Sequence, residues 1–311
     1  MTSPRLFDLT DRTQIELRGD DRASFLHNLC TNEIRKLPAG AGTEAFLLDA
    51  KGHVLGFVNV YCRPDSLVLE TVPGQGPRLL AHLDRYLIRE KVELHDRTDT
   101  WAELLLDGPE AATKLNALST VAMPARVGDN LDAQLAGISV SVRAVDFTGA
   151  GGLLLSCARE QVEPLRSALV AADCVPVDAT TFEATRIEAG TPLYGVDITE
   201  KNLPQEVARD ARAISFVKGC YLGQETVARI DALGHVNKTL CGVRFAGSEI
   251  PPAGTELTAD GKPAGEVTSA ALSPRLGTPL ALAYLRRGSN PPGTQLGSSI
   301  GPAEVVTLPF S

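Results

Sequence analysis

Residues Lys218–Glu225 read KGCYLGQE, a cysteine between two glycines, beside a lysine and directly ahead of a helical pattern. The run QETVARIDALG that follows places Val227 and Ile230 on one side of a helix, with Gly234 as its stop. Cys220 is therefore expected just before that helix or in its first turn. Free N–H groups and the positive end of the helix dipole stabilise a thiolate there, and Lys218 adds a second positive charge. Gly219 and Gly223 allow a tight turn and a close approach of backbone to a ligand. Gln224 and Glu225 offer hydrogen-bonding groups close by. Two readings stand side by side: a reactive or ligand-facing thiol, and the small buried hydrophobe that free cysteine commonly is. Cys30, Cys62, Cys157, Cys174 and Cys241 have no comparable surroundings and read as core.

Outward from this stretch the chain changes texture twice. On the N-terminal side, Thr180 and Glu183 have capping-box spacing and Gly190 closes the helix. TPLYGVDITEKNLPQEVARD is then a long turn-rich passage of the kind that often carries function. From Lys238 onward, TLCGVRF, AGEVTSAAL, PLALAYL and AEVVTL alternate with Pro/Gly turns, which predicts a β-barrel or sandwich of about 70 residues. Nearer the N-terminus, Arg22–Leu29 reads as a helix, and TEAFLLD, HVLGFVNVY and SLVLETV as an antiparallel meander. RLLAHLDRYLIRE reads as a helix and KVELHD as a strand. WAELLLDG, ISVSVRAVDF and GGLLLSC follow as strands, with a helix opened by Pro109 and another over EQVEPLRSALVAA. Hairpin-like strand pairs favour α+β over a doubly wound parallel sheet. No G-x-G-x-x-G follows a strand, so a dinucleotide site is unsupported.

The 311 residues are 43% hydrophobic and 22% charged, an ordinary globular mixture. The net charge of −8 repels phosphate backbones and argues against broad nucleic-acid binding. No window is apolar enough to span a membrane and the start lacks a signal-peptide pattern. The cysteines form neither C-x-x-C pairs nor a disulfide framework. A cytoplasmic monomer with reduced thiols is expected. Five scattered histidines give no metal motif.

KGCYLGQE closely resembles the signature of the YgfZ family, as do RIEAGTPLYGVDIT and LPQE. The same stretches resemble the T-protein of the glycine cleavage system, a tetrahydrofolate-dependent aminomethyltransferase. SFLHNLCTNEI and LLDAKGHVLGFVNVY extend the likeness over nearly the whole chain. The resemblance implies two interleaved α+β domains around a folate-sized cavity plus a C-terminal β-barrel. The expected segments are 1–100, 101–237 with the cysteine motif, and 238–311 for the barrel. It implies tetrahydrofolate or a derivative as cofactor, and iron–sulfur proteins or their assembly factors as partners. Cys220 and Lys218 are carried over as the reactive pair. Glu188 is carried over as the carboxylate holding the pterin, a task that suits a group able to accept two N–H bonds from an aminopyrimidine edge. Gln224, Tyr221, Asn32 and Thr31 are further folate-pocket candidates by resemblance.

Two departures bear on catalysis. Laying GHVLGF over the T-protein's G-G-V-V-D-D puts Gly56 and Phe57 where its aspartate pair stands, and neither transfers a proton. Asp49 lies seven residues before Gly56 on the chain, too far to substitute simply. Gln224 replaces an arginine near the folate tail. The leading expectation is thus a folate-binding accessory factor for iron–sulfur cluster assembly or repair, using Cys220. The alternative is a folate-dependent aminomethyltransferase or demethylase, and a third is a scaffold using residues 191–207.

Overall fold

Alternation within the strands sets the architecture, which the computed structural model of the chain describes for residues 3–310. In chain order come β1 (Arg5–Asp8), β2 (Thr13–Arg18), α1 (Arg22–Leu29), β3 (Gly42–Leu48), β4 (Val54–Cys62), β5 (Ser66–Thr71), α2 (Gly76–Asp84) and β6 (Glu93–Asp96). Next are β7 (Trp101–Asp107), α3 (Ala111–Leu118), β8 (Asn130–Leu135), β9 (Ile138–Val145), β10 (Gly152–Ala158), α4 (Val162–Ala171) and β11 (Val175–Pro176). Two units share the chain, each made of three segments. The first holds residues up to Leu48, Leu55–Ala179 and Arg212–Leu222; the second holds Asp49–Val54, Thr180–Ala211 and Gly223 onward.

The first unit contains two sheets, ordered β3-β4-β5-β2-β6 and β11-β1-β7-β10-β9-β8. In β4, Val58 and Val60 point into an apolar cluster with Phe25 and Leu26 of α1 and Leu79 and Leu83 of α2. In the other sheet, Leu104, Leu106, Val142 and Leu155 pack on Leu115 of α3 and Leu165 and Leu169 of α4. The remaining faces are polar. Gln14, Glu16, Glu70, Glu103 and Arg143 are all buried. Arg143 donates to Glu103 of its own sheet at 2.5 Å, while Ser156 and Arg143 donate to Gln14 of β2 at 2.8 and 3.4 Å, so hydrogen bonds to Gln14 join one sheet to the other. Charged groups survive such burial only when paired.

Besides the turn Asp49–Val54, the second unit contains α5 (Ala179–Ala189) from Thr180 on, the single turn α6 (Asp210–Ala213), which straddles the division, and α7 (Gln224–Leu233). Strands β12 (Lys238–Phe245), β13 (Glu256–Ala259), β14 (Lys262–Leu272), β15 (Pro279–Arg286), β16 (Gln295–Ser298) and β17 (Gly301–Val306) close as the barrel β12-β15-β14-β13-β16-β17. Closure leaves no free edge. Ile187 of α5 packs with Leu240, Leu280, Leu282 and Phe310 on the barrel's flank.

The α+β class and the terminal barrel agree with the sequence reading, and α1 has the expected bounds. Six strands, β1, β2, β8, β11, β13 and β16, are absent from the runs named in the sequence. The helix expected over RLLAHLDRYLIRE stops at Asp84, where Tyr86 and Leu87 turn back with i→i−3 bonds to Leu83 and Asp84. Thr180 lies inside α5 rather than at its cap, and Glu183 bonds Arg186 at 2.8 Å instead of completing a capping box.

Candidate functional site

Between the two sheets of the first unit lies a cavity of about 310 Å³. The β4 pleat decides what faces it. Residues 54, 56, 58 and 60 are buried on the core side, while Asn59 and Tyr61 on the opposite face line the cavity. Phe57 shares that opposite face by alternation and stacks on Phe46, with ring centroids 5.0 Å apart. A side chain at position 56 would run into Leu79 of the apolar core, at 2.8 Å from its Cβ. Position 57 therefore lies on the cavity-side face of the strand and position 56 does not. Asp49 serves a turn in the second unit. Its carboxylate accepts the backbone N–H of Lys51 at 2.9 Å and of His53 at 2.8 Å. Partial burial pushes its pKa up, but these bonds and the His53 ring hold it below the ordinary value.

Behind Asn59 sits a fixed charge network. The β4–β5 register sets Asn59 opposite Glu70, and its amide donates to Glu70 at 2.7 Å. Glu70 also pairs with buried Arg12, whose guanidinium lies 5.1 Å from the Phe147 ring centroid. Arg143 stands 4.8 Å over Tyr61, and burial holds the Tyr61 phenol well above its ordinary pKa. Two carboxylates, Glu44 and Asp146, stand on the cavity wall, with Arg212 between them at 3.6 and 3.5 Å. The wall thus combines hydrogen-bond acceptors, an aromatic side and arginines. That set can accept hydrogen bonds, pack against an aromatic face and complement a charge.

The segment Arg212–Leu222 is tied to this wall by residues expected to touch ligand. Thr31, fully buried, donates to Ala213 O at 2.6 Å and accepts from Phe46 N at 2.9 Å. The Asn32 amide lies 2.8 Å from Thr43, 2.9 Å from Glu44 O and 2.7 Å from Arg212 O. Both are positioning residues here, with their polar atoms directed to protein. Lys218 is buried, and its ammonium donates to the carbonyls of His27, Cys30 and Asn32 at 2.6, 2.7 and 2.8 Å. Three bonds exhaust its N–H groups, so Lys218 has no donor left for Cys220. Burial lowers its pKa. Tyr221 is also buried, its ring 4.7 Å from the Lys218 ammonium, and burial pushes its phenol up to about 12.

Cys220 itself is exposed, which removes the buried-hydrophobe reading, and it borders a surface groove with Phe25 and Tyr86. The following helix α7 opens at Gln224, so Cys220 lies just before the helix, the first of the two expected placements, and not in its first turn. Cys30, Cys157 and Cys174 are buried as core residues; Cys62 and Cys241 are half-buried in strands. Gln224 and Glu188 belong to the second unit. Glu188 accepts from Ser273 and lies 3.5 Å from Arg275. Beside it, fully buried Arg186 bonds Glu183, Thr191 O at 3.1 Å and Asp197 at 2.8 Å. Among the described residues no group of three or more His, Cys, Asp or Glu gathers as a metal site, and no helix is long and apolar enough to cross a membrane.

Arg126, Arg212, Glu44 and Asp146 were missed in the sequence. Isolated charges in loops and at a strand start carry no motif.

Two sheets enclosing a polar cavity, followed by a closed six-stranded barrel, define a two-part protein with an α+β body. Residues 2–217 match the GCVT N-terminal domain, and residues 238–311 match the glycine cleavage T-protein C-terminal barrel domain. The chain belongs to the glycine cleavage T-protein family. It is 30% identical over 308 residues to an aminomethyltransferase of Thermus thermophilus, covering 98% of this chain and 86% of that protein. It is 26% identical over 266 residues to a putative chloroplastic transferase of Arabidopsis thaliana, covering 84% and 60% respectively. The crystal structure of glycine cleavage system aminomethyltransferase T from Bartonella henselae superposes with a TM-score of 0.90 at 20% identity, over 100% of this chain and 87% of that one.

Proposed function

We propose that this chain binds a reduced folate in the cavity of its first unit, and that it handles a one-carbon unit as a folate-dependent aminomethyltransferase. The observation that carries the binding is the cavity wall, where Glu44 and Asp146 stand within reach of one another through Arg212. Carboxylates accept the N–H groups of an aminopyrimidine edge, and arginine complements an acidic tail. The cavity, at about 310 Å³, is near the lower end of ligand pockets and takes the ring rather than the whole molecule. The names of the relatives support the transfer step. A bound reduced folate would supply the nitrogen that receives the one-carbon unit; the chain's own task is to orient the ring and keep water from it.

A second reading, the accessory factor of YgfZ type for iron–sulfur proteins, is favoured by one feature. Position 57, on the cavity-side face of β4, holds Phe57, which stacks on Phe46, and Cys220 is exposed. A phenyl ring moves no proton. In this reading Cys220 engages a partner protein or a cluster, while folate binding is kept.

Calorimetric titration with tetrahydrofolate and 5-formyltetrahydrofolate, followed by an assay with an aminomethyl donor, tests both. Saturable binding with turnover supports the transferase. Binding without turnover, together with lowered activity of cluster enzymes in cells carrying Cys220→Ser, supports the accessory factor. No binding by well-folded protein removes the folate reading. Glu188→Ala is expected to spare binding, since its carboxylate serves Ser273 and Arg275. Loss of binding in that variant would return to Glu188 the pterin-holding role that the resemblance implies.

A further inference from the structure

The second unit carries a cavity of its own, about 590 Å³ in volume, on the outer face of the barrel. The strand register there sets like charges side by side. Lys238 of β12 stands directly opposite Arg286 of β15, and Glu256 of β13 directly opposite Glu266 of β14. All four line the cavity. Like charges directly opposed destabilise a sheet, and their neighbours do not cancel them. Among the described residues the side chains of Arg286, Glu256 and Glu266 have neither a hydrogen bond nor an ion pair. Lys238 reaches Glu206 only at 3.8 Å, and Lys201 adds a further unpaired cation to the wall. Tyr284 links the two pairs. Its ring lies 4.8 Å from the Lys238 ammonium, and its register partner on β14 is Glu266. Tyr284 lines the cavity at 8% exposure, and its hydroxyl has no hydrogen-bond partner. A buried hydroxyl left so is uncommon, and in a cavity wall its partner is what the cavity holds.

We infer that this cavity binds a short extended peptide with free ends, its carboxylate on Lys238 and Arg286 and its ammonium on Glu256 and Glu266. The four residues occupy consecutive strands in the order β12-β15-β14-β13. The midpoint of the cationic pair is thus two strand spacings from that of the acidic pair, about 10 Å. Three extended residues span that distance at about 3.4 Å each. A single amino acid holds its two charges much closer together and engages one pair only. Guanidinium presents paired donors that match a carboxylate, and a peptide carbonyl accepts from the Tyr284 hydroxyl. The volume lies within the range of small-ligand sites. Nothing in this site depends on the folate reading, which concerns the first unit.

Titration of the isotope-labelled full chain, followed by NMR chemical shifts, tests this with triglycine, N-acetyl-triglycine, triglycine amide, the doubly blocked peptide and propionate. Triglycine is expected to give saturable shifts and to bind about fivefold more tightly than either singly blocked form. Arg286→Ala reduces the advantage of the free carboxylate over the amide and keeps that of the free amine over the acetylated form. Glu266→Gln does the converse. Both advantages shrink at high salt. Tyr284→Phe weakens all forms alike without lowering the melting temperature, because it removes a buried hydroxyl that protein groups leave unpaired. Arg286 and Glu266 are exposed, so unchanged melting temperatures in their variants confirm that folding is intact. Absence of saturable shifts with triglycine overturns the inference. So does a doubly blocked peptide that binds as well as the free one, or a carboxylate advantage undiminished in Arg286→Ala. Propionate binding as tightly as triglycine reduces the site to an anion contact and overturns it as well.

Discussion

Three carbonyl oxygens, those of His27, Cys30 and Asn32, converge on the ammonium of Lys218. They belong to the last turn of α1 and the residues just after it, where helix carbonyls lack an intrahelical donor, and the lysine supplies donors in their place. Lys218→Met keeps the length and removes the donors. It is expected to cost about 3 kcal/mol of stability in urea denaturation, because buried acceptors are left unpaired. Loss below about 0.5 kcal/mol would mean that water takes over the carbonyls. Lys218→Arg is not expected to rescue, since the planar fork cannot reach three convergent acceptors. The sequence showed that a lysine sits in a glycine-flanked turn. It did not show the partners, because Cys30 is 188 residues away and carbonyl groups leave no trace in side-chain pattern. Cys220 was legible as an unusual thiol, through the glycines on either side, and its exposure agrees with that. The local pattern left open whether it stands before the helix or in its first turn, and the helix start at Gln224 puts it before.

At the scale of elements, β2 explains what sequence periodicity overlooks. TQIELR alternates, but its polar side is as buried as its apolar side: Gln14 and Glu16 are both fully buried. The strand lies between an apolar core and a polar layer, so its burial is not legible from hydrophobicity. Strands β3 to β5 were legible because their apolar content is higher on both faces. In the second unit a similar polar core ties α5 to the barrel. Arg186 and Asp197 are both fully inaccessible, and Asp197 in turn accepts from Thr268 at 2.5 Å and Ser269 at 2.6 Å. Arg186→Leu leaves Asp197 as an uncompensated buried charge and is expected to destabilise by about 3–5 kcal/mol. Arg186→Leu combined with Asp197→Asn should lose less than the sum of the two single changes, as a double-mutant cycle by chemical denaturation will read. Strict additivity would show that the pair does not act as a unit. Helices α6 and α7 meet less favourably. Asp210 opens α6, and burial together with Asp231 of α7 pushes its carboxyl up to about 6. The folded protein therefore prefers the neutral acid. This contribution is complete below the ordinary aspartate pKa and is lost as pH rises through about 6. Asp210→Asn should match wild type at about pH 4 and exceed it by about 1 kcal/mol at pH 8, a figure reduced for solvent screening of a half-exposed group. An equal gain at both pH values would show that polarity, not titration, is responsible.

At the scale of the whole chain, the two units interleave in a way that composition does not mark. The short turn Asp49–Val54 belongs to the second unit, although the strands on either side of it build the first. Asp49, Lys51 and Gly52 look like any hairpin turn, yet Thr226 of α7 donates to Lys51 O at 2.8 Å, and a Cβ at Gly52 would lie 2.7 Å from the Thr226 Cβ. Only the resemblance to a family carried the interleaving into the sequence reading. The barrel, by contrast, was legible from its evenly spaced short runs and turn residues. It is not self-sufficient. Leu240, Leu280 and Leu282 turn outward from its interior and are covered by Ile187 of α5 and by Phe310. Gly190, at φ +72°, lies so close to Leu308 that a Cβ would come within 2.9 Å, and Phe310 N donates to Glu188 O at 2.9 Å. A fragment spanning 238–311 lacks α5 and leaves these leucines as an apolar patch of the kind that drives association. Such a fragment is expected to bind a hydrophobic dye and to sediment as aggregates, whereas the full chain does neither. Replacing Leu240 and Leu282 by threonine in the fragment should restore solubility without restoring the melting temperature of the full chain. A fragment that stays monomeric, dye-free and as stable as the whole protein would show that the closed sheet suffices, and that α5 is an addition to the barrel and not part of its core.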